Sequence, residues 1–276
     1  NMNRLYQWDK SQDREHRVLN RANDEDKWNE PFFFAQLADT QLGMRNGHHE
    51  TWKEELELLN RAVSEINRLR PKFAIICGDL INMNAQLHPS IPASIESRQV
   101  ADFKSAIENI HPSIPLLCVC GNHDVGNRPS PATVSTYRSR YGDDYYAFWA
   151  GGVRGIVLNN LLYFDRSLAA HLYPEQHAWF TSQLRAAKAR SARVLVFAHV
   201  PWFLRHPDED GSDGDGEGER SEYKGTVIPA RYFRIPKTER MPVLELMREN
   251  GVVVCFGGHW HRNGGGKFGE TEMVIT

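Results

Sequence analysis

Apolar and polar positions along this 276-residue chain follow two alternating rhythms. Continuous apolar runs occupy residues 32–38 (FFFAQLA), 73–77 (FAIIC), 115–120 (PLLCVC), 193–198 (RVLVFA) and 252–256 (VVVCF). Their length and composition predict strands buried on both faces. Between them lie stretches with apolar residues at three- and four-residue steps. Trp52, Leu56, Leu59, Val63, Ile66 and Leu69 mark a helix over 51–70 that Pro71 stops. Val100, Phe103, Ile107 and Ile110 mark another over 100–110, and 174–190 and 238–250 two more, the last closing at Gly251. Ser130-Pro131 pairs an N-cap with a first-turn proline and opens a helix to Tyr141.

Residues 145–159, YYAFWAGGVRGIVLN, predict a β-hairpin turning at Gly151-Gly152, and EMVIT at the end begins a further strand. Strand and helix alternate, which argues an α/β fold with a largely parallel core, made mixed by the hairpin. No internal repeat is present. Residues 1–30 form a polar arm, and 31–276 are expected to be one domain.

Charge refines this picture at one place. The net charge is −2, which gives no reason to expect nucleic acid as a partner. Residues 208–222, DEDGSDGDGEGERSE, alone carry −7, leaving +5 elsewhere, a balance suited to a phosphorylated substrate. This segment predicts a solvated loop insert. It fits no calcium-loop frame, since counting from Asp208 puts Asp213 where the sharp turn needs glycine. No apolar run reaches membrane-spanning length, and the first residues lack an apolar signal core, so a cytoplasmic protein without membrane insertion is expected. Cys77, Cys118, Cys120 and Cys255 sit inside strand-like runs and read as buried, reduced thiols.

The candidate chemistry lies where the apolar runs stop. FFFAQLA is followed by Asp39-Thr40-Gln41, FAIIC by Gly78-Asp79, and PLLCVC by Gly121-Asn122-His123-Asp124. RVLVFA is followed by His199, and VVVCF by Gly257-Gly258-His259-Trp260-His261. Taken singly, each is an ordinary turn or surface residue. In order, each behind an apolar run, they place metal-competent side chains at five strand ends, where open α/β sheets bind ligands.

Two carboxylates, three imidazoles and two amides suit two divalent or trivalent ions, Mn, Fe or Zn, better than calcium. Asp79 is the expected bridge. Asp39, Gln41 and His261 would complete one ion, and Asn122, His199 and His259 the other. Such a pair clamps an in-line displacement at phosphorus, and a water between the ions loses its proton near neutral pH. His123 is then the general acid for the leaving group, with Asp124 orienting its ring. Asp143-Asp144 read as a turn or cap, and His48-His49 as exposed loop residues. Trp202, Phe203 and Trp260 read as packing aromatics. Arg262 and Asn263 are secondary candidates for touching phosphate.

The ordered set DTQ, GD, GNHD, H and GHWH resembles the calcineurin-like metallophosphoesterases over Asp39 to His261, and CGDLI, GNHDVGN and GDDYYAFWAGGV resemble a serine/threonine phosphoprotein phosphatase branch of that family. The resemblance implies a four-layer α-β-β-α sandwich of two mixed sheets flanked by helices, with the metal site at strand C-terminal ends. It also implies metal-dependent hydrolysis of phosphate esters, with a phosphorylated protein as substrate. Most of the superfamily has histidine where this chain has Gln41, and a neutral amide oxygen is the weaker ligand. The family pattern continues with C-terminal strands beyond Thr276, which are expected to be missing here. Two other readings stay open: a phosphodiesterase on cyclic nucleotides or other small diesters, and a non-catalytic scaffold that keeps the fold. The oligomeric state is not legible.

Overall fold

The computed structural model describes residues 11, 13–16, 19, 25–45, 51–209, 221–223 and 226–276. Most of the N-terminal arm, His48-His49 and residues 210–220 of the acidic insert lie outside the described residues.

Strands β1 (Ala35–Leu37), β2 (Ala74–Cys77) and β3 (Leu116–Val119) form a parallel sheet in the order 1-2-3. A second sheet contains β4 (Tyr146–Ala150), β5 (Val153–Val157) and β6 (Arg193–Phe197). After a small hairpin of β7 (Ser221–Tyr223) and β8 (Thr226–Ile228) it gains β9 (Val252–Gly257), β10 (Gly264–Phe268) and β11 (Thr271–Ile275). Its order is β10-β11-β9-β6-β5-β4, mixed, with antiparallel strands at the two edges. The helices are α1 (Lys53–Leu69), α2 (Ala93–Ile107), α3 (Asn122–Val125), α4 (Pro131–Tyr141), α5 (Leu161–Phe164), α6 (Leu172–Ala189) and α7 (Lys237–Glu249). No described helix is long and apolar enough to cross a membrane.

Two-sided burial explains the all-apolar β2, whereas β1, expected to be buried, is half-buried at each of its three positions and Phe33 before it is exposed. All four residues of β2 are buried. Ala74 and Ile76 pack with Leu59 and Val63 of α1 and Phe103 of α2, whereas Phe73, Ile75 and Cys77 join Tyr146, Phe148 and Phe197 of the other sheet. The layer between the sheets is aromatic: Phe34 stacks on Phe73 at 4.8 Å, Phe73 meets Phe148 edge-on at 5.3 Å, and Phe197 stacks on Phe256 at 5.2 Å. Helices α6 and α7 cover the outer face of the larger sheet with Phe180, Leu184, Val243 and Met247. The result is the α-β-β-α sandwich that the resemblance implied. All four cysteines are buried, and none is in a disulfide.

Hairpin β4–β5 turns at Gly151-Gly152 as expected, and its register sets Phe148 opposite Gly155. A Cβ on Gly155 would lie 2.2 Å from the Phe148 ring, which is itself wedged between Phe73 and Phe197. Gly155→Ala therefore overpacks this layer and is expected to lose about 1–3 kcal/mol of stability, read from urea unfolding midpoints.

Ser130 caps α4 as predicted: its hydroxyl accepts from the Thr133 amide at 3.1 Å, and the Thr133 hydroxyl accepts from the Ser130 amide at 3.0 Å. Leu69, expected on the core face, is 48% exposed at the last position of α1, where Arg70 turns left-handed (φ 58°). Asp144 serves the scaffold, accepting from Arg138 at 2.7 Å and from Asn159 at 3.0 Å.

Candidate metal centre

Strands β1, β2 and β3 of one sheet and β6 and β9 of the other end at a common edge, and each delivers polar residues there. Asp39 and Gln41 follow β1, Asp79 follows β2, Asn122 and His123 follow β3, His199 follows β6, and His259 and His261 follow β9. Backbone bonds stitch these ends together: the Asp39 amide donates to Gly78 O at 3.1 Å, Gln41 to Asp79 O at 2.9 Å, and Gly258 to His199 O at 2.9 Å.

The loops are tightly wound. Nine described non-glycine residues have positive φ, and five are in this set: Asp39 (52°), Gln41 (37°), Asp79 (52°), His259 (67°) and His261 (53°). Each such conformation costs on the order of 1–3 kcal/mol and persists where its surroundings over-determine it. The glycines between them are required by close approach. A Cβ at Gly78 would lie 2.3 Å from His199 Nδ1, and one at Gly121 would lie 2.1 Å from Asp79 Oδ1.

At the centre, one ligand atom from each of Asp79, His199 and His259 lies within 4.8 Å of the other two, and all three residues are buried. Hydrogen bonds fix which atoms face inward. His199 Nδ1 donates to Cys77 O at 2.8 Å, because a carbonyl only accepts, and this turns Nε2 toward the site. Asn122 donates its amide N–H to the Tyr232 hydroxyl at 3.3 Å, so its Oδ1 faces His199 Nε2 at 3.0 Å. Asp79 Oδ2 lies 3.3 Å from the same nitrogen. His259 Nε2 donates to Tyr232 O at 3.0 Å, which leaves Nδ1 as the ligand atom.

Around Asp39, Oδ2 accepts from the His259 amide at 2.9 Å and Oδ1 stands 3.3 Å from His261 Nε2. Gln41 Oε1 is a buried oxygen without a hydrogen-bond partner, and Asp39 Oδ1 is buried with the His261 ring as its neighbour. A buried polar atom is rarely left as the Gln41 oxygen is, and beside the Asp39 carboxylate it marks a place shaped for a cation. The donor set and these two oxygens fit metal binding.

The cluster's electrostatics are those of a buried carboxylate–imidazolium pair. Burial pushes the Asp79 carboxyl up, but the surrounding His199, His123 and His259 rings outweigh it and hold it well below the ordinary carboxylate range. Burial pushes the His199 ring down, and the Asp79 charge more than reverses this, lifting it to about 9. His259, buried and beside His199, is pushed down to about 3 and stays neutral, the form that binds metal.

His123 donates its amide to Asp79 Oδ1 at 2.8 Å, and its ring Nδ1 donates to Asn82 O at 2.9 Å. Asp124, expected to orient this ring, is engaged elsewhere. Asp124 instead accepts from the amides of Gly121 at 2.7 Å and Leu80 at 3.2 Å. Successive helical residues point about 100° apart, so within α3 Asp124 reaches back over the helix start while His123 points into the cleft. Asp124 thus braces the loop that carries Asp79.

Tyr232 was not anticipated from sequence. It sits in a 3-10 turn (Ala230–Phe233) after the acidic insert, and no spacing rule singles it out. With Phe233, Trp260 and Arg262 it walls a cleft of about 230 Å³ whose floor holds Asp79, Asn122, His123 and His259. Arg262 stacks over Trp260 at 5.4 Å, and Trp202 is buried in the core.

The calcineurin-like phosphoesterase profile matches residues 34–263. The serine/threonine-protein phosphatase CPPED1 of Danio rerio is 36% identical over 280 residues, covering 97% of this chain and 82% of the zebrafish protein. The Homo sapiens CPPED1 is 36% identical over 267 residues, covering 92% of this chain and 77% of the human protein. Among solved structures, a dimetal phosphatase from Danio rerio superimposes with a TM-score of 0.60 at 18% identity, over 89% of this chain and 87% of that one, a likeness of fold. With the whole span from β1 to the residues after His261 under one profile, and a buried carboxylate–imidazole cluster at its centre, this chain is a metallophosphoesterase of the calcineurin-like phosphoesterase family.

Proposed function

We propose that this enzyme is a binuclear phosphoprotein phosphatase acting on phosphoserine and phosphothreonine. The observation that carries the reading is the convergence of Asp79, His199 and His259 beside the Asp39 carboxylate and the orphaned Gln41 oxygen. In this reading Asp39, Gln41 and His261 would hold one ion and Asn122, His199 and His259 the other, with Asp79 available to both. Bound there, the ions supply Lewis acidity toward the phosphoryl oxygens and the attacking water.

The chain's own groups do the rest. Tyr232 fixes the Asn122 amide and, through its carbonyl, the His259 ring. The Asn82 carbonyl keeps a proton on His123 Nδ1, so Nε2 is the atom that exchanges a proton with the leaving oxygen. Arg262 stands at the cleft wall as a cationic contact for the entering phosphate. A protein substrate is supported by the relatives named serine/threonine-protein phosphatase and by a cleft open enough to admit a phosphorylated side chain.

The test compares a phosphoserine peptide, an aryl monoester and an aryl diester. Both monoesters are expected to release phosphate, to stop doing so in chelator, and to resume on addition of Mn²⁺. A preparation that cleaves the diester faster than either monoester, or that turns over nothing under Mn²⁺, Fe²⁺ or Zn²⁺, would overturn the reading.

A further inference from the structure

Strand β5 runs into the turn Leu158-Asn159-Asn160, which leads to α5 and lies against the end of β6, where His199 stands. The turn is held firmly from its own side. Gln176 of α6, 0% exposed, accepts from the Asn159 amide at 3.0 Å and donates to the Asn159 carbonyl at 3.1 Å. The Asn159 side chain donates to Asp144 Oδ2 at 3.0 Å.

Asn160 is buried and occupies the N-cap position of α5. An asparagine there ordinarily turns its oxygen back onto the first amides of its own helix. Asn160 makes no such bond. Its side chain crosses instead to the neighbouring strand end. Oδ1 accepts from the amides of His199 at 3.3 Å and Val200 at 3.2 Å, and Nδ2 donates to Val200 O at 2.6 Å. These backbone groups need a partner from outside. His199 and Val200 are buried, they lie beyond the last ladder pair of β6 at Phe197, and Pro201 after them brings no N–H.

His199 is thus defined from three sides. Its ring Nδ1 donates to Cys77 O, its carbonyl accepts from the Gly258 amide, and its own amide donates to Asn160. Without the third anchor the 199–200 backbone can pivot, and the movement is carried out along the side chain to Nε2, the atom that faces Asp79 and Asn122.

We infer that Asn160 is a positioning residue for the metal centre, setting the place of His199 Nε2 by gripping the His199-Val200 backbone. It is not among the described residues that line the metal cleft, so it acts through the histidine. The inference rests on His199 as a metal ligand and not on what the phosphate is attached to.

The experiment titrates Mn²⁺ into the metal-free protein by calorimetry and records melting temperatures in chelator. Asn160→Ala is expected to weaken Mn²⁺ binding by about tenfold, the low end of what losing a contact that orients a ligating histidine costs. Half-maximal turnover of nitrophenyl phosphate then needs about ten times more Mn²⁺, while KM for the ester at saturating Mn²⁺ stays at the wild-type value. Asn160→Asp keeps an acceptor for the two amides but sets an oxygen against Val200 O, and its affinity is expected to fall between the two. It replaces Asn160→Ala in every comparison if the alanine variant does not fold. Thr271→Val is the control, because the Thr271 hydroxyl donates to Val252 O at 2.8 Å, a buried bond at the other end of β9 from His259. It is expected to lower the melting temperature, as Asn160→Ala does, and to leave Mn²⁺ affinity unchanged. If Asn160→Ala binds Mn²⁺ as tightly as wild type, or Thr271→Val weakens binding as much, the positioning role is overturned and the metal centre stands. If wild type binds neither Mn²⁺ nor Zn²⁺, both fall.

Discussion

Asp79→Asn is expected to remove metal-dependent turnover almost entirely, by at least about a hundredfold, the low end of what losing a buried charged partner costs. Asp79 is 1% exposed, its Oδ2 faces His199 at 3.3 Å, and its Oδ1 accepts the His123 amide at 2.8 Å. Asparagine keeps the volume and one acceptor oxygen but not the charge that would hold a cation at the Asp79, His199 and His259 cluster. The substitution separates the metal role from a scaffolding role. In chelator the variant is expected to melt below wild type, because the buried His199 ring loses the carboxylate that lifts it to about 9. With Mn²⁺ added, wild type gains thermal stability by mass action and the variant does not. Metal analysis of the purified proteins gives the same contrast without an activity assay. A variant that still gains stability from Mn²⁺, or still turns over at more than about a tenth of the wild-type rate, would show that Asp79 is not a metal ligand, since a tenfold loss is only about 1.4 kcal/mol.

The centre was legible in sequence because its residues are chemically out of place. An Asp, an amide or a His that directly ends an apolar run has no packing reason to be there, and five such endings in order define a convergent edge once the runs are read as parallel strands. The same runs revealed the two-sided burial of β2 and β3. What escaped was structure that breaks local rules. Strand β10 begins with Gly264-Gly265-Gly266, which no strand propensity favours, and it forms because β11 offers an edge to pair with. A Cβ at Gly265 would lie 1.9 Å from Met273 O, so those glycines serve a close strand approach. Helix α2 starts at Ala93, seven residues before its apolar rhythm becomes visible at Val100. The left-handed turns at Asp39, Gln41, Asp79, His259 and His261 carry no sequence mark at all, because the residues were kept for their donor atoms against the conformational preference for glycine. Tyr232 reaches the site from a turn 110 positions beyond Asn122, a contact set by tertiary folding alone. Asp124 is next to His123 in sequence but not in space, because a helical turn points the two side chains apart.

His123→Ala is expected to lower kcat by about 10²–10⁴-fold on phosphoserine peptide, with a much smaller change in KM. The ring contributes no ligand atom to the buried cluster of Asp79, His199 and His259, so its loss leaves metal content intact. The informative variable is the leaving group. A serine alkoxide is a poor leaving group and needs a proton as the P–O bond breaks, whereas a nitrophenolate leaves without one. If His123 is the proton donor, the variant's deficit is large on phosphoserine and shrinks by at least about tenfold on nitrophenyl phosphate, following the Brønsted dependence of general acid catalysis. An equal deficit on both substrates would assign His123 to holding the phosphoryl group or to bracing Asp79 through its amide, a contact that alanine retains. Because the Asn82 carbonyl and not Asp124 holds the ring, Asp124→Asn should show no such dependence on leaving group: it weakens the bracing of the Gly121 and Leu80 amides, lowering both reactions and the melting temperature together.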